Sequence, residues 1–394
     1  GHPLFEEPLS RMIFYQGDFF RTQRNLCIPG IDNVFGRYGF DANKGEYGSE
    51  PIACKLVSST AHQRLKTSPA GLIRDEARRV MCETHAVSPE DYTLKDMYRM
   101  ADWLEVLGVN MLFIVGYPSS EYGLKYYKLH NLKKHSWWKE INHYSDYVGR
   151  LSFMLTRGVH RANIGVLFPT SSYWVRNNRN FLRDSQWQKM EKGFNELSLA
   201  LLRNQIDFDY LFEPSLLKAD IKGNYLVVEE ETFSTVIIPP VNLLSLEIKK
   251  KLLSFTQKGG RVIAYNPCLI NEATTDSLVV APFMEQIMLL SELIPILESE
   301  RTIKVEYQGR PNTDIIYHQR SLKNQEIYFI LNSGKRNLKN VSITLYVLGH
   351  PQIWNPKDGT PGSIDYSIDD IRTNISLSFA PYQSYLIVVD RDKR

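Results

Sequence analysis

The spacing of apolar residues changes once along this chain, near residue 300, and that change limits the folds available to it. Before it, short apolar runs alternate with stretches in which apolar residues recur every three to four positions. Nearly continuous apolar strands between amphipathic helices are typical of parallel sheets. After residue 301 the period is two, as in antiparallel strands with one buried face. The sequence therefore predicts a β/α architecture followed by an antiparallel β-sandwich.

A chain of 394 residues is long enough for two or three domains. We predict a partial (β/α) TIM-type barrel over residues 1–160, a flavodoxin-like doubly wound α/β domain over 161–300, and the sandwich over 301–394. About four strands are visible in the first segment, whereas a closed barrel needs eight. We therefore expect this segment to be the second half of a barrel, completed by the missing half or by another chain. The doubly wound segment has no Gly-x-Gly-x-x-Gly loop after its first strand, so no nucleotide site is predicted there.

The elements of the barrel segment follow from the same patterns. Its strands are predicted over 24–28, 53–59, 79–85 and 109–116, and its long helices over 91–107 and 137–158. In the doubly wound segment, the closing element is predicted to be a helix over 282–297.

Glu83 lies in the stretch Arg79-Val-Met-Cys-Glu-Thr-His85, at the predicted end of a buried strand. β/α proteins place their chemistry at the carboxyl ends of parallel strands, where the following loops open. A carboxyl group held there can serve as a general acid or base. The alternative is a glutamate that caps the next helix or pairs with an arginine.

Composition excludes several classes of function. The net charge of +3 and the absence of a basic cluster give no reason to expect a nucleic-acid partner. No stretch approaches the roughly 20 apolar residues of a membrane span, so no membrane partner is predicted. The four cysteines follow no metal-ligand spacing, and Cys54 and Cys82 are predicted to be small core residues, with a disulfide as the alternative. The six tryptophans and 22 tyrosines are many, and sugar-binding clefts use aromatic faces; Trp354, beside a turn, is predicted to be a packing anchor.

Several motifs occur in an order that resembles a known family. They are Lys55–His62, Arg79–Thr84, Gly108–Asn110, Trp137–Trp138, Tyr147–Arg150 and Ile164–Trp174. In sequence and spacing they are similar to the latter part of glycoside hydrolase family 106, which contains α-L-rhamnosidases. The resemblance in architecture covers nearly the whole chain, and its specific residues are confined to about 53–174.

The resemblance implies hydrolysis of α-L-rhamnosides with inversion, by two carboxyl groups about 6.5–9.5 Å apart. Glu83 matches the motif glutamate and is the predicted catalytic residue, as either the acid or the base. Residues predicted to contact the sugar or to orient Glu83 are Lys55, His62, His85, Asn110 and Tyr117. Candidates for the second carboxylate are Asp32, Asp41, Glu46, Glu50 and Glu121. The family tends to carry a histidine where this chain has Val115-Gly116, so the resemblance implies no histidine contact to the substrate at that position.

A calcium ion near the sugar is implied by the resemblance alone, because no Asp-rich calcium loop is present in the sequence. The expected partner is an oligosaccharide or polysaccharide that contains rhamnose, of plant or bacterial origin. A periplasmic or extracellular location is expected if the protein degrades bacterial polysaccharides. We expect the chain alone to be weakly active or inactive. Two other hypotheses stay open: a non-catalytic carbohydrate-binding or assembly module, and a different glycosidase or a lyase on the same domain plan.

Overall fold

The structure, a computed structural model, is a mixed α/β arrangement with several sheets. It describes residues 9–34, 38–40, 50–64, 78–86, 91–114, 135–175, 183–267 and 281–393. Within these residues there are sheets of three, five, five, six and three strands, and no closed barrel. Among the described helices, none combines the length and the apolarity that crossing a membrane requires.

The first sheet is parallel and has three strands in the order β1-β2-β3. Its strands are β1 Gly30–Val34, β2 Met81–Ala86 and β3 Met111–Ile114. Helices α1 Leu9–Gln16 and α2 Phe19–Gln23 precede it, α3 Glu50–His62 and α4 Leu94–Val106 connect its strands, and α5 Ile141–Thr156 follows a 3-10 turn at Ser136–Glu140. Thr93 begins α4 with a capping box that it shares with Asp96, which satisfies backbone N–H groups at the start of the helix. The first predicted strand, over 24–28, is wrong: β1 begins at Gly30.

The second sheet has five parallel strands. In chain order they are β5 Ile164–Phe168, β6 Phe208–Phe212, β10 Thr235–Ile238, β11 Arg261–Tyr265 and β12 Glu285–Ile287. Their spatial order, β12-β11-β10-β5-β6, is the 2-1-3-4-5 order of flavodoxin-like sheets read from the other edge. The helices around it are α6 Thr170–Val175, α7 Ser185–Arg203, α8 Glu213–Lys218, α9 Leu246–Gln257 and α10 Leu290–Ile296. The predicted helix over 282–297 is wrong in its first part, because that part forms the edge strand β12.

A small antiparallel sheet follows α8 and is made of β7 Asp220–Lys222, β8 Tyr225–Val228 and β9 Glu231–Phe233. It packs Leu226 and Phe233 against the second sheet.

The remaining two sheets are antiparallel and face each other across a core of aliphatic and aromatic side chains. One contains β13 Ile303–Tyr307, β14 Arg310–Pro311, β17 Leu338–Leu345, β20 Tyr366–Asp369 and β21 Arg372–Phe379. The other contains β4 Val159–His160, β15 Ile315–Ser321, β16 Gln325–Asn332, β18 His350–Trp354, β19 Pro361–Ser363 and β22 Ser384–Asp390. Because β4 pairs with β15, the chain joins this layer before it enters the second sheet.

Helix α3 replaces the strand predicted over 53–59, and that prediction is wrong. Every residue from Pro51 to Arg64 is buried, since α3 lies between β1, β6 and α7. A helix covered on all sides has no solvent-exposed face, and a short apolar run of this kind does not distinguish a helix from a buried strand. Cys54 on α3 and Cys82 on β2 are buried free thiols, as predicted.

One continuous apolar core joins the three parts of the chain. It includes Leu56 of α3, Trp103 of α4, Phe208 of β6 and Phe329 of β16, all almost completely buried. The helix-covered side of the first sheet is therefore packed against both the second sheet and the sandwich.

Candidate active site

Two carboxylates and an aromatic ring stand in one row across the first sheet. The strand register places Asp32 beside Glu83 and Glu83 beside Phe113. Side chains alternate along a strand, and the neighbours Ile31 and Cys82 are buried in the core beneath the helices. The row therefore points to the opposite face of the sheet, where Asp32 and Glu83 are partly exposed and Phe113 is 47% exposed.

Glu83 lies inside its strand, because β2 continues to Ala86. The prediction that it ends the strand is wrong by three residues. Among the predicted second carboxylates, Asp32 is the one whose side chain the structure describes. It is on the strand next to Glu83, and adjacent strands lie about 4.8 Å apart. Asp41, Glu46 and Glu121 lie outside the described residues, as does the side chain of Glu50.

His85 is turned away from this row. Its φ of 64° is in the left-handed region, which is uncommon for a residue other than glycine, and its ring is completely buried. Nδ1 lies 3.0 Å from the hydroxyl of Tyr92, and Nε2 lies 3.0 Å from that of Tyr144. Burial lowers the pKa of His85 to about 3, so the ring is neutral and one tyrosine donates while the other accepts. His85 thus ties the end of β2 to Tyr92, just before α4, and to Tyr144 of α5, and these contacts do not support its predicted role at the sugar.

Asn110 also has a structural position. Its Oδ1 accepts from the backbone N–H of Val80 at 2.9 Å, and its Nδ2 donates to the carbonyl of Arg78 at 3.1 Å. With 4% of its surface exposed, it fastens the start of β2 to the start of β3. The predicted sugar contact through Asn110 is therefore not supported, and Tyr117 lies outside the described residues.

Lys55 and His62, predicted at strand ends beside the sugar, are on helix α3 and completely buried on the side of β6. Lys55 Nζ donates to Asp207 Oδ1 at 2.7 Å. His62 Nδ1 lies 3.0 Å from Asp209 Oδ2. Both predicted placements are wrong because the segment is helical, and a helix directs these side chains, seven residues apart, to the same side.

These residues belong to a buried group of charges that we call the aspartate cluster. Its members are Lys55, His62, His160, Asp207, Asp209 and Arg320. They come from α3, β4, β15, β6 and, for Asp207, the position just before β6, so the cluster joins the first sheet's helices, the second sheet and the sandwich. Removing one charge from such a group would leave another uncompensated in a medium of low polarity.

The hydrogen bonds of the cluster define its protonation. His160 has a carboxylate at each ring nitrogen, Asp209 at 3.2 Å from Nδ1 and Asp207 at 2.8 Å from Nε2, so both nitrogens donate and the ring is cationic. Burial lowers the pKa of His160, but the two aspartates outweigh it and raise the pKa to about 9. Arg320 Nη1 donates to His62 Nε2 at 3.3 Å, which leaves the proton of His62 on Nδ1 and the ring neutral. Burial accordingly lowers the pKa of His62 to about 4.

The two carboxylates of the cluster are ionised. Burial opposes ionisation, but Lys55 and His160 hold the pKa of Asp207 well below its usual range, and His62 and His160 do the same for Asp209. Nearby Glu231 is different: burial and the charge of Asp209 raise its pKa to about 8.

Two sets within and beside the cluster have the ligand types of a transition-metal site. They are His62, His160 and Asp209, and His160, Asp207 and His318. In this structure the atoms that could bind a metal are hydrogen-bonded mainly to one another, and the positive charges of Lys55 and Arg320 repel a further cation. Calcium takes six to eight oxygen ligands, so neither set fits the ion that the resemblance implies. We interpret the cluster as an internal ion network that joins three layers.

Sequence reasoning missed this network, although one signal was present. Asp207 and Asp209 flank Phe208 at the start of an otherwise apolar strand of a covered sheet. Charged side chains at such positions require buried partners, and buried lysine and histidine residues elsewhere in the chain were available.

No protein-family model matches the sequence, and no curated protein matches it. Solved structures do match, and this chain shares its fold with a rhamnosidase, a fucosidase and a β-galactosidase.

The individual similarities are these. A rhamnosidase from Novosphingobium sp. PP1Y matches with a TM-score of 0.67 and 17% identity, over 94% of this chain and 35% of that one. A β-galactosidase from Bacillus circulans sp. alkalophilus matches with a TM-score of 0.57 and 10% identity, over 94% of this chain and 61% of that one. α-L-Fucosidase isoenzyme 2 from Paenibacillus thiaminolyticus matches with a TM-score of 0.52 and 11% identity, over 92% of this chain and 65% of that one. The chain thus spans about a third to two thirds of the length of these proteins, and at these identities the similarity shows the fold.

Proposed function

We propose that this chain forms the C-terminal part of an α-L-rhamnosidase-like glycoside hydrolase, with Glu83 as one of its two catalytic carboxyl groups. The observation that carries the proposal is the row of Asp32, Glu83 and Phe113 on the face of a parallel sheet that lies opposite the described helices. Glycoside hydrolases work through paired carboxyl groups beside the sugar. The similarity in fold to a rhamnosidase supports the choice of substrate.

The proposed mechanism is inversion. One carboxylic acid protonates the leaving oxygen while a carboxylate on the other side of the sugar activates water, and the two groups are about 6.5–9.5 Å apart. Asp32 is on the strand next to Glu83, and strands about 4.8 Å apart place two side chains on the same side of a bound ring. We therefore assign Asp32 to a sugar hydroxyl or to the orientation of Glu83, and expect the partner carboxylate from a strand across the barrel.

The barrel itself is part of the proposal. The three described strands β1, β2 and β3 run parallel in sequential order, as consecutive strands of a (β/α)8 barrel do. Five further strands would close it and would cover the edges of β1 and β3. The activity is accordingly proposed for the assembled protein, and the chain by itself is expected to release little or no rhamnose. Its expected substrate is a rhamnose-containing oligosaccharide or polysaccharide outside the cytoplasm.

The test is rhamnose release from an aryl α-L-rhamnoside by the assembled protein. We expect Glu83→Gln to lower kcat by about 10²–10⁴-fold, the usual worth of a general acid or base. Glu196→Gln is the matched control, because Glu196 is 49% exposed on α7 and should leave kcat unchanged. Urea midpoints of both variants report whether the fold is intact.

A panel of other aryl glycosides and the anomeric form of the first product complete this test. Turnover of the rhamnoside alone, with inversion seen by proton NMR, is the expected result. Full activity of a folded Glu83→Gln variant would remove Glu83 from the mechanism. Glycan binding without any hydrolysis in the assembled protein would favour the carbohydrate-binding module instead.

A further inference from the structure

A deep cleft separates helix α4 from the sandwich, on the helix-covered side of the first sheet and away from Glu83. Its volume is about 850 Å³, within the range of pockets that bind small molecules and at the kind of interface where such pockets occur. On the other side of Trp354 a second hollow of about 470 Å³ lies along α5. We call the two hollows together the Trp354 cleft, because the Trp354 side chain lines both.

The floor of the cleft carries a carboxyl group. Asp102 of α4 is 5% exposed, and it accepts from the hydroxyls of Tyr147 at 2.6 Å and Ser384 at 2.8 Å. Burial raises the pKa of Asp102 to about 7, against smaller effects from these hydrogen bonds and from the charge of Lys357. A buried acid with both oxygens held in place is a fixed hydrogen-bonding group within the cleft.

The rim carries cations that rest on aromatic rings. Lys357 Nζ lies 5.8 Å from the ring centre of Tyr98, and the guanidinium of Arg99 lies 4.6 Å from that of Tyr382. Lys95 is a third cation in the lining. Among the described residues, Arg99 has an ion pair with Asp96 at 3.5 Å, whereas neither Lys95 nor Lys357 has one. The rim therefore has an excess of positive charge.

The loop that follows Trp354 is held by hydrogen bonds to α5 and within itself. Arg150 of α5 donates to the carbonyls of Pro356 at 3.2 Å and Lys357 at 2.8 Å. Within the loop, Asp358 accepts from the side chain of Asn355 and from the backbone of Thr360, both at 2.9 Å. A pre-organised loop loses little entropy on binding.

We propose that the Trp354 cleft binds an extended acidic saccharide, one that carries carboxylates, at a site separate from the catalytic face. The aromatic lining offers apolar surface to the carbon–hydrogen faces of sugar rings, and the side chains of Asn355, Gln383 and Asp102 offer partners to hydroxyls. The lysines of the rim supply the charge that a carboxylate needs. A hollow on each side of Trp354 suits a ligand of several sugar units. Trp354 thus serves as a packing anchor, as predicted from its turn, and also as part of a binding surface.

The proposal rests on the proposed function only for the choice of a saccharide as the ligand. Binding is measured by isothermal titration calorimetry on the full chain, with an oligomer of galacturonic acid and a neutral glucose oligomer of equal length as probes. We expect the acidic oligomer to bind more tightly, to quench tryptophan fluorescence, and to lose affinity as salt is raised, since exposed charge pairs are screened.

Variants of the rim locate the binding. Lys357→Ala should weaken binding of the acidic oligomer about fivefold, which corresponds to the loss of one exposed ion pair. The double variant Lys95→Ala/Lys357→Ala should weaken it about twentyfold. Lys339→Ala, an exposed lysine of β17 outside the cleft, is the matched control and should change nothing. Glu83→Gln should also leave the affinity unchanged, so a failure of the hydrolase proposal does not decide this one. Equal binding of both oligomers, no binding of either, or equal effects of Lys339→Ala and Lys357→Ala would overturn the proposal.

Discussion

The charge on His160 predicts a stability that declines as the solution becomes alkaline. Its pKa is raised to about 9 in the folded chain, against about 6.5 for an unfolded histidine. Each pKa unit corresponds to 1.36 kcal/mol, so this ring contributes about 3 kcal/mol to the free energy of unfolding. Because the folded pKa is the higher one, the folded state holds an extra proton between these values. The contribution is fully present below pH 6.5 and is lost as the pH rises through 9.

Two other buried groups change charge in part of this range. Glu231 has its pKa raised to about 8 and Asp102 to about 7, and ionising either in the folded chain also costs stability as the pH rises. The His160→Gln variant separates the effects, because it removes the titrating ring and leaves both carboxyl groups. We expect the variant to be less stable than the wild type at pH 6.5 and to differ from it little at pH 9.5.

Urea unfolding followed by tryptophan fluorescence between pH 6 and pH 9.5 measures the two profiles. NMR of ring-labelled histidine provides a direct check, with one of the nine histidines expected to titrate near pH 9. A His160 ring that titrates near 6.5, or profiles of wild type and variant that run parallel, would refute the assignment of an imidazolium between two aspartates.

Other substitutions test packing and burial. Lys55→Met removes the charge opposite a buried aspartate and should lower the free energy of unfolding by about 3–5 kcal/mol. Lys95→Met, on the exposed face of α4, should change it by less than about 0.5 kcal/mol. Similar effects of the two substitutions would contradict the buried ion pair. Gly108→Ala should cost about 2 kcal/mol or more, since φ is +96° and a Cβ would lie 2.2 Å from Ser58 Oγ. Gly149→Ala, in open space on α5, should instead stabilise by up to about 1 kcal/mol, and a loss at Gly149 equal to that at Gly108 would argue against strain.

The carboxylate row shows what the local sequence pattern can predict and what it cannot. The apolar run around Cys82 predicts the strand that carries Glu83, and the structure has a strand there. Asp32 was one of five candidates for a second carboxylate, and nothing near it in sequence favoured it. Its position beside Glu83 comes from the pairing of β1 with β2, which are about 50 residues apart along the chain. Pairing between distant strands is decided by the fold and cannot be predicted from the residues around either strand.

Local sequence determined the helix that became α4 and the change to antiparallel strands after residue 301, because each depends on residues a few positions apart. The tertiary structure alone decided that the run 53–59 is a helix, since the segment is buried on every side and the partners of its polar residues Lys55 and His62 lie far away in sequence. It also decided the role of Lys55, whose partner Asp207 lies 152 residues away. The free energy of a buried charge depends on which opposite charge the fold brings to it, and that is a property of the assembled core.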